Sequence, residues 1–162
     1  MNSLKLNSEY LRRHVFSILV FLGIGCWFAY DGFVKYPATD AVKLYVSIEG
    51  AEPPAGYDVE KFKSQKTKSQ KIFALFLFVS SLVVASRLTR NFLLKFSWSE
   101  EGFEHNGKKY TYSDIAKIDD SHWEKRSTLV IFTKSEKILL DAWHHVGVSE
   151  FKEFLNTKKS VS

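Results

Sequence analysis

The sequence predicts an α+β membrane protein, in which a two-helix transmembrane hairpin is followed by a small antiparallel β module that a C-terminal helix closes. Three observations support this fold class. Residues 72–85 form a run of 14 residues without a charge, a glycine or a proline, and residues 15–30 form a second uncharged run of 16. Beyond residue 91, short β-prone runs alternate with turn residues, and an amphipathic segment follows them near the C-terminus.

The charge is divided unevenly between the two halves of the chain. Residues 92–162 hold 11 Lys and Arg against 11 Asp and Glu, so the predicted module is neutral. Residues 1–91 hold 12 against 7, which accounts for the net charge of +5. A nucleic-acid-binding domain carries its basic residues on the folded domain, whereas membrane proteins carry them beside their apolar segments. The pattern disfavours nucleic acid as a partner and favours the lipid bilayer.

Residues 15–34 are predicted to form the first transmembrane helix, after a polar N-terminal tail at residues 1–14. With its flanks, the uncharged run reaches the roughly 20 residues that a bilayer core requires of a helix. Basic and aromatic residues flank the apolar runs, as is typical of membrane interfaces. The residues that we expect at the membrane interfaces, within or beside the two helices, are Arg12, Arg13, Trp27, Tyr30, Lys71, Arg87 and Arg90.

Two other interpretations of the first apolar run are a cleaved signal peptide and a lipoprotein signal. No small-residue cleavage pattern follows the apolar core, which argues against the first. A lipoprotein signal ending at Cys26 requires a leucine where Gly23 stands, and the apolar run continues past the cysteine. We therefore favour a retained transmembrane helix.

Residues 35–70 are predicted to connect the first helix to a second transmembrane helix at residues 71–90. The first part of the connection, residues 39–48, is compatible with a short helix or with an extended segment. Two adjacent prolines then break the chain, and residues 59–71 favour a helix that runs into the second membrane helix. The lysines of residues 61–71 leave two roles open, which are binding of anionic lipid headgroups and a solvated helix extension, and we favour the second.

Small residues spaced by four recur in both apolar runs. Gly25 with Ala29 and Ser81 with Ala85 have the small-x-x-x-small spacing that lets membrane helices approach closely. This spacing is compatible with packing of the two helices of one chain and with a homo-oligomer. Asp31 follows the first run, and we expect its carboxylate to be exposed at the membrane interface.

Residues 92–157 are predicted to form the β module, and residues 158–162 a tail. The strongest turn signal is Asn106 followed by Gly107, because both residues tolerate the positive φ of a type I′ hairpin turn. The expected elements are strands at residues 92–98, 103–105, 108–112, 115–119, 128–133 and 137–140, and a closing helix at residues 149–156. The first part of residues 92–98 is also compatible with an extension of the second helix.

The first half of this module resembles the small pleckstrin-homology-like (PH-like) domains of bacterial membrane proteins. The similarity lies in Glu-Gly-Phe at residues 101–103, Asn-Gly at residues 106–107 and Tyr-Ser-Asp-Ile at residues 112–115. Residues 150–155 are in turn similar to the closing helix of that family. The resemblance covers about 70 residues and implies a small barrel that follows two membrane helices. Phosphoinositide-binding members carry basic residues at the first turn, but this chain carries two glutamates there, at residues 100–101. We therefore do not expect headgroup binding by the module.

The sequence offers no constellation of residues typical of catalysis or metal binding. His144 and His145 are adjacent, so their side chains point in different directions on a helix or a strand. His122 lies near acidic residues, but no nucleophile motif stands beside it. We expect no catalytic, cofactor or metal site, and thus no enzyme.

The distribution of positive charge gives almost no preference for one membrane orientation over the other. Seven lysines lie between the two helices, and six Lys and Arg residues lie outside them. Because a loop of about 35 residues crosses a bilayer more readily than the whole module, we expect both termini in the cytoplasm of a bacterium, at the inner membrane. The expected role is non-catalytic tethering of other membrane or membrane-associated proteins. The alternative is an accessory subunit of a transporter or membrane enzyme, bound through its helices.

Overall fold

The computed structural model describes residues 1–160, with side chains described as far as Lys158. It is an α+β fold with two long apolar helices and small antiparallel sheets, which confirms this part of the predicted fold class. The chain divides into two compact units. The helical unit is His14–Ser86, and the sheet unit combines Met1–Arg13 with the chain from Arg87 onward.

Each apolar run lies within one long helix. The first is α1 (Ser8–Tyr30), which continues as a π-helix (Asp31–Lys35) and as α2 (Tyr36–Ala38). The second run belongs to α4 (Val59–Leu93), which also contains the lysine-rich segment before it, as predicted. Asp58 caps α4, because its carboxylate accepts a hydrogen bond of 2.9 Å from the backbone N–H three residues later.

A short helix, α3 (Ala41–Glu49), forms in the first part of the connection, where the sequence is compatible with either a helix or an extended segment. It begins at Asp40, whose carboxylate accepts hydrogen bonds from the backbone N–H groups two and three residues later. It ends at Gly50, which has a φ of 74°. Leu44 of α3 is fully buried, so this helix contributes to the core of the helical unit.

Besides the ends of α1 and α4, the described residues of the sheet unit form nine short strands, two further α-helices and a 3-10 helix (Tyr112–Asp114). The strands are β1 (Asn2–Ser3), β2 (Lys5–Leu6), β3 (Phe96–Trp98), β4 (Gly102–His105), β5 (Lys108–Thr111), β6 (Ile115–Asp119), β7 (Thr128–Thr133), β8 (Lys137–Asp141) and β9 (His145–Val146). They form antiparallel sheets with the strand orders β1-β3-β4-β5, β6-β7-β8 and β2-β9. The helices are α5 (Trp123–Arg126) and α6 (Val148–Ser160).

The Asn106-Gly107 hairpin is confirmed. These residues have φ angles of 49° and 86°, and they join β4 to β5 with His105 opposite Lys108. The inner faces of β3, β4, β7 and β8 pack against one side of α6, with Phe151 at the centre. The buried core residues are Phe96, Trp98, Phe103, Leu129, Ile131, Ile138, Leu140, Val148, Phe151 and Leu155.

The prediction of a polar N-terminal tail at residues 1–14 is wrong. Asn2 pairs with Trp98, and Lys5 pairs with Val146, so the first residues add strands to the sheet unit. Leu4 between them donates a backbone hydrogen bond of 2.9 Å to a carbonyl of β3 and packs against the core. Strands of two residues are too short to show a period of two, and their partners lie far away in sequence.

For residues 92–98, the structure confirms the alternative in which the first part of the segment extends the second helix. Helix α4 continues to Leu93, and β3 begins at Phe96. Phe92 and Leu93 are exposed, so the apolar character that favoured a strand there does not reflect burial in the sheet.

Candidate functional site

The small residues expected at helix–helix contacts lie at different depths in the helical unit. Gly25 is buried, and a Cβ added to it would lie 3.1 Å from the ring of Phe78 on α4. Ser81 is also buried, whereas Ala29 and Ala85 are half-buried. Gly25 therefore allows α1 and α4 of one chain to pack closely.

The residues expected at membrane interfaces are nearly all exposed. Trp27 and Tyr30 are exposed on α1. Lys71 is half-buried, and its Nζ lies 4.7 Å from the centroid of the Phe33 ring. In the sheet unit, the exposed members of this set are Arg12, Arg13, Arg87 and Arg90, and Arg13 forms an ion pair with Glu9.

Asp31 was expected to be exposed, and this expectation is wrong, since the residue is only 8% exposed. It is the first residue of the π-helix, whose wider turn changes the direction of the side chains relative to a continuous α-helix. Gly32 follows it and lets α4 approach, because a Cβ at Gly32 would lie 3.0 Å from the backbone nitrogen of Lys71. This close approach buries the carboxylate.

Asp31 lines a pocket of about 390 Å³ in the helical unit. On the opposite helix, the Nε2 of Gln70 donates to the hydroxyl of Tyr36 at 3.3 Å. The Oδ1 of Asp31 and the Oε1 of Gln70 are buried and accept no hydrogen bond from any described residue. The Nζ of Lys35 lies 3.7 Å from that Oδ1, which is an ion-pair distance. The residues lining the pocket are Ile24, Trp27, Phe28, Asp31 and Gln70.

Two unsatisfied acceptors in one pocket are unusual, because most buried polar atoms in proteins have a hydrogen-bond partner. An unsatisfied buried acceptor costs about 1–3 kcal/mol, and more when it is charged. A ligand that donates hydrogen bonds there would remove this cost. Sequence reasoning missed Gln70 and Tyr36, since neither belongs to a recognisable motif.

In the sheet unit, Glu136 joins the β4–β5 hairpin to the turn between β7 and β8. Its Oε1 accepts hydrogen bonds from the Tyr110 hydroxyl at 2.5 Å and from Nδ1 of His105 at 2.9 Å. The Tyr110 hydrogen bond, and then that of His105, lowers the pKa of Glu136. These contacts hold two elements of the sheet unit together.

The paired histidines have separate environments. His145 is buried, and its Nε2 donates to the backbone carbonyl of Asn91 at 3.0 Å. The His144 ring lies 4.5 Å from the Tyr10 ring between centroids, and its Nδ1 lies 3.6 Å from an Asp141 carboxylate oxygen. Within residues 1–160, no group of three or more His, Cys, Asp and Glu side chains is placed to hold a metal ion.

The sheet unit also presents a free strand edge, which we call the β8 edge (residues 137–141). Among the described strands, β8 pairs only with β7, so its other side lacks a strand partner. Leu139 points away from the core and is 54% exposed, and Trp143, just beyond the strand, is 64% exposed. An unpaired edge beside exposed apolar side chains is a surface suited to strand addition.

Comparison of the chain with protein-family models, with curated proteins and with solved structures finds no match.

Proposed function

We propose that this chain is an integral membrane protein, in which the helical unit is a transmembrane hairpin and the sheet unit is a PH-like module that docks other membrane or membrane-associated proteins. Its role is tethering rather than catalysis. Confinement to the membrane raises the effective concentration of the module toward partners in the same membrane. We propose the bacterial inner membrane, with both termini in the cytoplasm, as its location.

The observation that carries the topology is the pairing of the first residues with strands that follow the helical unit. Asn2 pairs with Trp98 and Lys5 with Val146, so the chain before the helical unit and the chain after it fold together. Both segments must then lie in one aqueous compartment. Two crossings between them satisfy this condition, and a single crossing does not.

The surfaces of the long helices support insertion in lipid. In the most apolar 18-residue windows of the two helices, only 17% and 11% of the residues are buried. A core helix of a water-soluble protein would bury most of such a window. Leu82 is 73% exposed in the middle of the second apolar run, which lipid would cover.

The strand arrangement supports a PH-like interpretation of the sheet unit. Two antiparallel sheets of three and four strands are followed by α6, whose apolar face covers their core. The two N-terminal strands are additional to the elements that the resemblance implies. The β8 edge is the docking surface that we propose, since β-strand addition combines backbone hydrogen bonds with side-chain contacts.

Photo-crosslinking in intact cells tests this function. A photoreactive amino acid is placed at Leu139 on the β8 edge, at Glu153 on α6 or at Leu82 on α4, in otherwise unchanged full-length chains. We expect a discrete adduct with a membrane-associated protein from position 139 and none from position 153, which is an exposed control within the same unit.

The other outcomes separate the alternatives. An adduct from position 82 alone would support the accessory-subunit role, in which the helices bind the partner. Absence of protein adducts from positions 139 and 82 would contradict both roles. Release of the chain from membranes by alkaline carbonate would contradict the membrane proposal itself.

A further inference from the structure

We propose that the Asp31–Gln70 pocket binds a primary ammonium group, and that its source is the headgroup of phosphatidylethanolamine. This inference rests on the proposed membrane insertion of the helical unit. It adds a specific lipid to a chain whose role is otherwise assigned to its sheet unit.

The acceptors in the pocket define the chemistry of the ligand. Asp31 contributes a negative charge, and the Nζ of Lys35 lies at an ion-pair distance of 3.7 Å from its Oδ1. Neither this oxygen nor the Oε1 of Gln70 accepts a hydrogen bond within the described residues, so both have room for a donor. An ammonium group carries a positive charge and three donors but no acceptor. Two oxygens are too few for Ca²⁺ or Mg²⁺, which take six or more ligands. An ammonium group therefore matches the pocket better than a metal ion.

The walls of the pocket favour a cation as well. Trp27 and Phe28 line it, and aromatic faces attract ammonium groups electrostatically. Trp27 is 69% exposed, so the pocket opens on the outer surface of the helical unit, where lipid would lie.

The position of the pocket along the helices indicates a lipid headgroup. Asp31 directly follows the uncharged run of α1, and Gln70 precedes Lys71 just before the uncharged run of α4. In a spanning hairpin, such positions lie at the level of the headgroups. Lys71 directly follows Gln70 in sequence, and its cation would complement the phosphate of the same headgroup. The arrangement thus matches a zwitterion that carries both groups.

A series of methylated lipids tests the inference without changing the protein. The full-length chain is placed in nanodiscs that contain phosphatidylethanolamine, its N-methyl and N,N-dimethyl forms, or phosphatidylcholine, and bound lipids are counted by native mass spectrometry. The positive charge is constant in this series, whereas the number of N–H donors falls. We expect retention to fall with each methyl group, with a total preference of about tenfold for phosphatidylethanolamine over phosphatidylcholine.

Two variants locate the preference. Asp31→Asn keeps the size of the side chain but removes its charge, and we expect it to abolish the preference. Glu52→Gln makes the same chemical change at an exposed residue of the connecting loop, and we expect it to keep the preference. Soluble phosphoethanolamine is added as a competitor. Displacement of the lipid at equal concentration would assign the ammonium site to a free amine rather than to a membrane lipid.

Equal retention of phosphatidylethanolamine and phosphatidylcholine by the unchanged protein would overturn the inference and leave the membrane proposal intact. Failure of the chain to enter nanodiscs would overturn both. A preference that survives Asp31→Asn would place the lipid at another site and overturn the assignment to this pocket.

Discussion

Gly23 and Gly25 lie two residues apart on α1 but have different surroundings. A Cβ at Gly25 would lie 3.1 Å from the Phe78 ring, whereas a Cβ at Gly23 would meet nothing within 4 Å. We expect Gly25→Leu to destabilise the chain by about 1–3 kcal/mol, because the larger side chain forces α1 and α4 apart. Thermal unfolding in detergent micelles measures this effect.

Gly23→Leu is the matched control for this prediction. It introduces the same side chain into the same helix, where we expect an effect between zero and a stabilisation of about 1 kcal/mol from helix propensity. Equal destabilisation by both substitutions would show that Gly25 has no special role in helix contact.

Glu136 makes the stability of the sheet unit depend on pH in the acidic range. Hydrogen bonds from Tyr110 and His105 lower its pKa in the folded chain below the usual 4.5. Its stabilising contribution is therefore complete above about pH 4.5 and is lost as the pH falls through the lower pKa of the folded state. We expect Tyr110→Phe, which removes the largest cause of the shift, to reduce stability at neutral pH and to weaken its decline in acid. Unfolding midpoints between about pH 7 and about pH 3 measure both effects.

The control for the acid dependence is Glu101→Gln, at an exposed residue of the same unit. We expect the stability of this variant to decline in acid as the stability of the unchanged chain does. Glu136→Gln should remove the part of the decline that Tyr110→Phe weakens. An unaltered pH profile for Glu136→Gln would refute the assignment.

Among the structural elements, the N-terminal strands show how the module is completed. Leu4, between β1 and β2, packs against the core, and its Cδ2 lies 3.1 Å from where a Cβ on Gly147 would be. We expect Leu4→Ala to destabilise the sheet unit by about 1–2 kcal/mol, which is at or below the low end for Leu→Ala because Leu4 is only partly buried. Hydrogen exchange of the β3 and β9 amides reports the effect locally.

Lys5→Ala serves as its control, since Lys5 is exposed and its backbone pairing is unchanged by the substitution. We expect its effect to remain within about 0.5 kcal/mol. If Leu4→Ala left the exchange of β3 and β9 unchanged, the N-terminal strands would not be part of the stable module.

The elements that could be predicted from the sequence are those with local signals. The hairpin is predicted by the adjacent Asn106 and Gly107, which favour a two-residue turn. Helix α4 is predicted by a long apolar run, and an acidic N-cap residue precedes the helix. The strands β1, β2 and β9 have two residues each, so pairing with distant partners defines them rather than their own composition.

The pocket could not be predicted for a similar reason. Asp31 follows an apolar run, and such a position usually exposes a carboxylate. Its burial depends on the π-helix and on the contact between Gly32 and Lys71, which join positions about 40 residues apart. A sequence pattern confined to one helix contains neither feature.

For the whole molecule, the proposed topology can be tested with single cysteines. Cys26 is the only cysteine, so Cys26→Ser gives a background for new labelling sites. We expect Ala55→Cys, in the connecting loop, to react with a membrane-impermeant maleimide added to intact spheroplasts. Lys125→Cys, on α5, should react only after the membrane is opened, because we propose a cytoplasmic sheet unit.

The reverse labelling pattern would place the sheet unit outside the cytoplasm and would change the set of available partners. Reaction of both sites in intact spheroplasts would contradict a hairpin that crosses the membrane twice. Each cysteine variant is also labelled after solubilisation, which shows that its thiol is reactive when accessible.

The interruption of the sheet unit by the helical unit has a consequence for biosynthesis. A ribosome completes β1 and β2 long before it has made their partners β3 and β9, and both helices must leave it in between. If the hairpin crosses the membrane as we propose, a chain that inserted only one helix would hold its early strands on the opposite side from their partners. Such a chain would expose the edge of β3 and the contact site of Leu4 to chaperones and proteases. Closure of the sheets would thus act as a check, during synthesis, that both helices had been inserted.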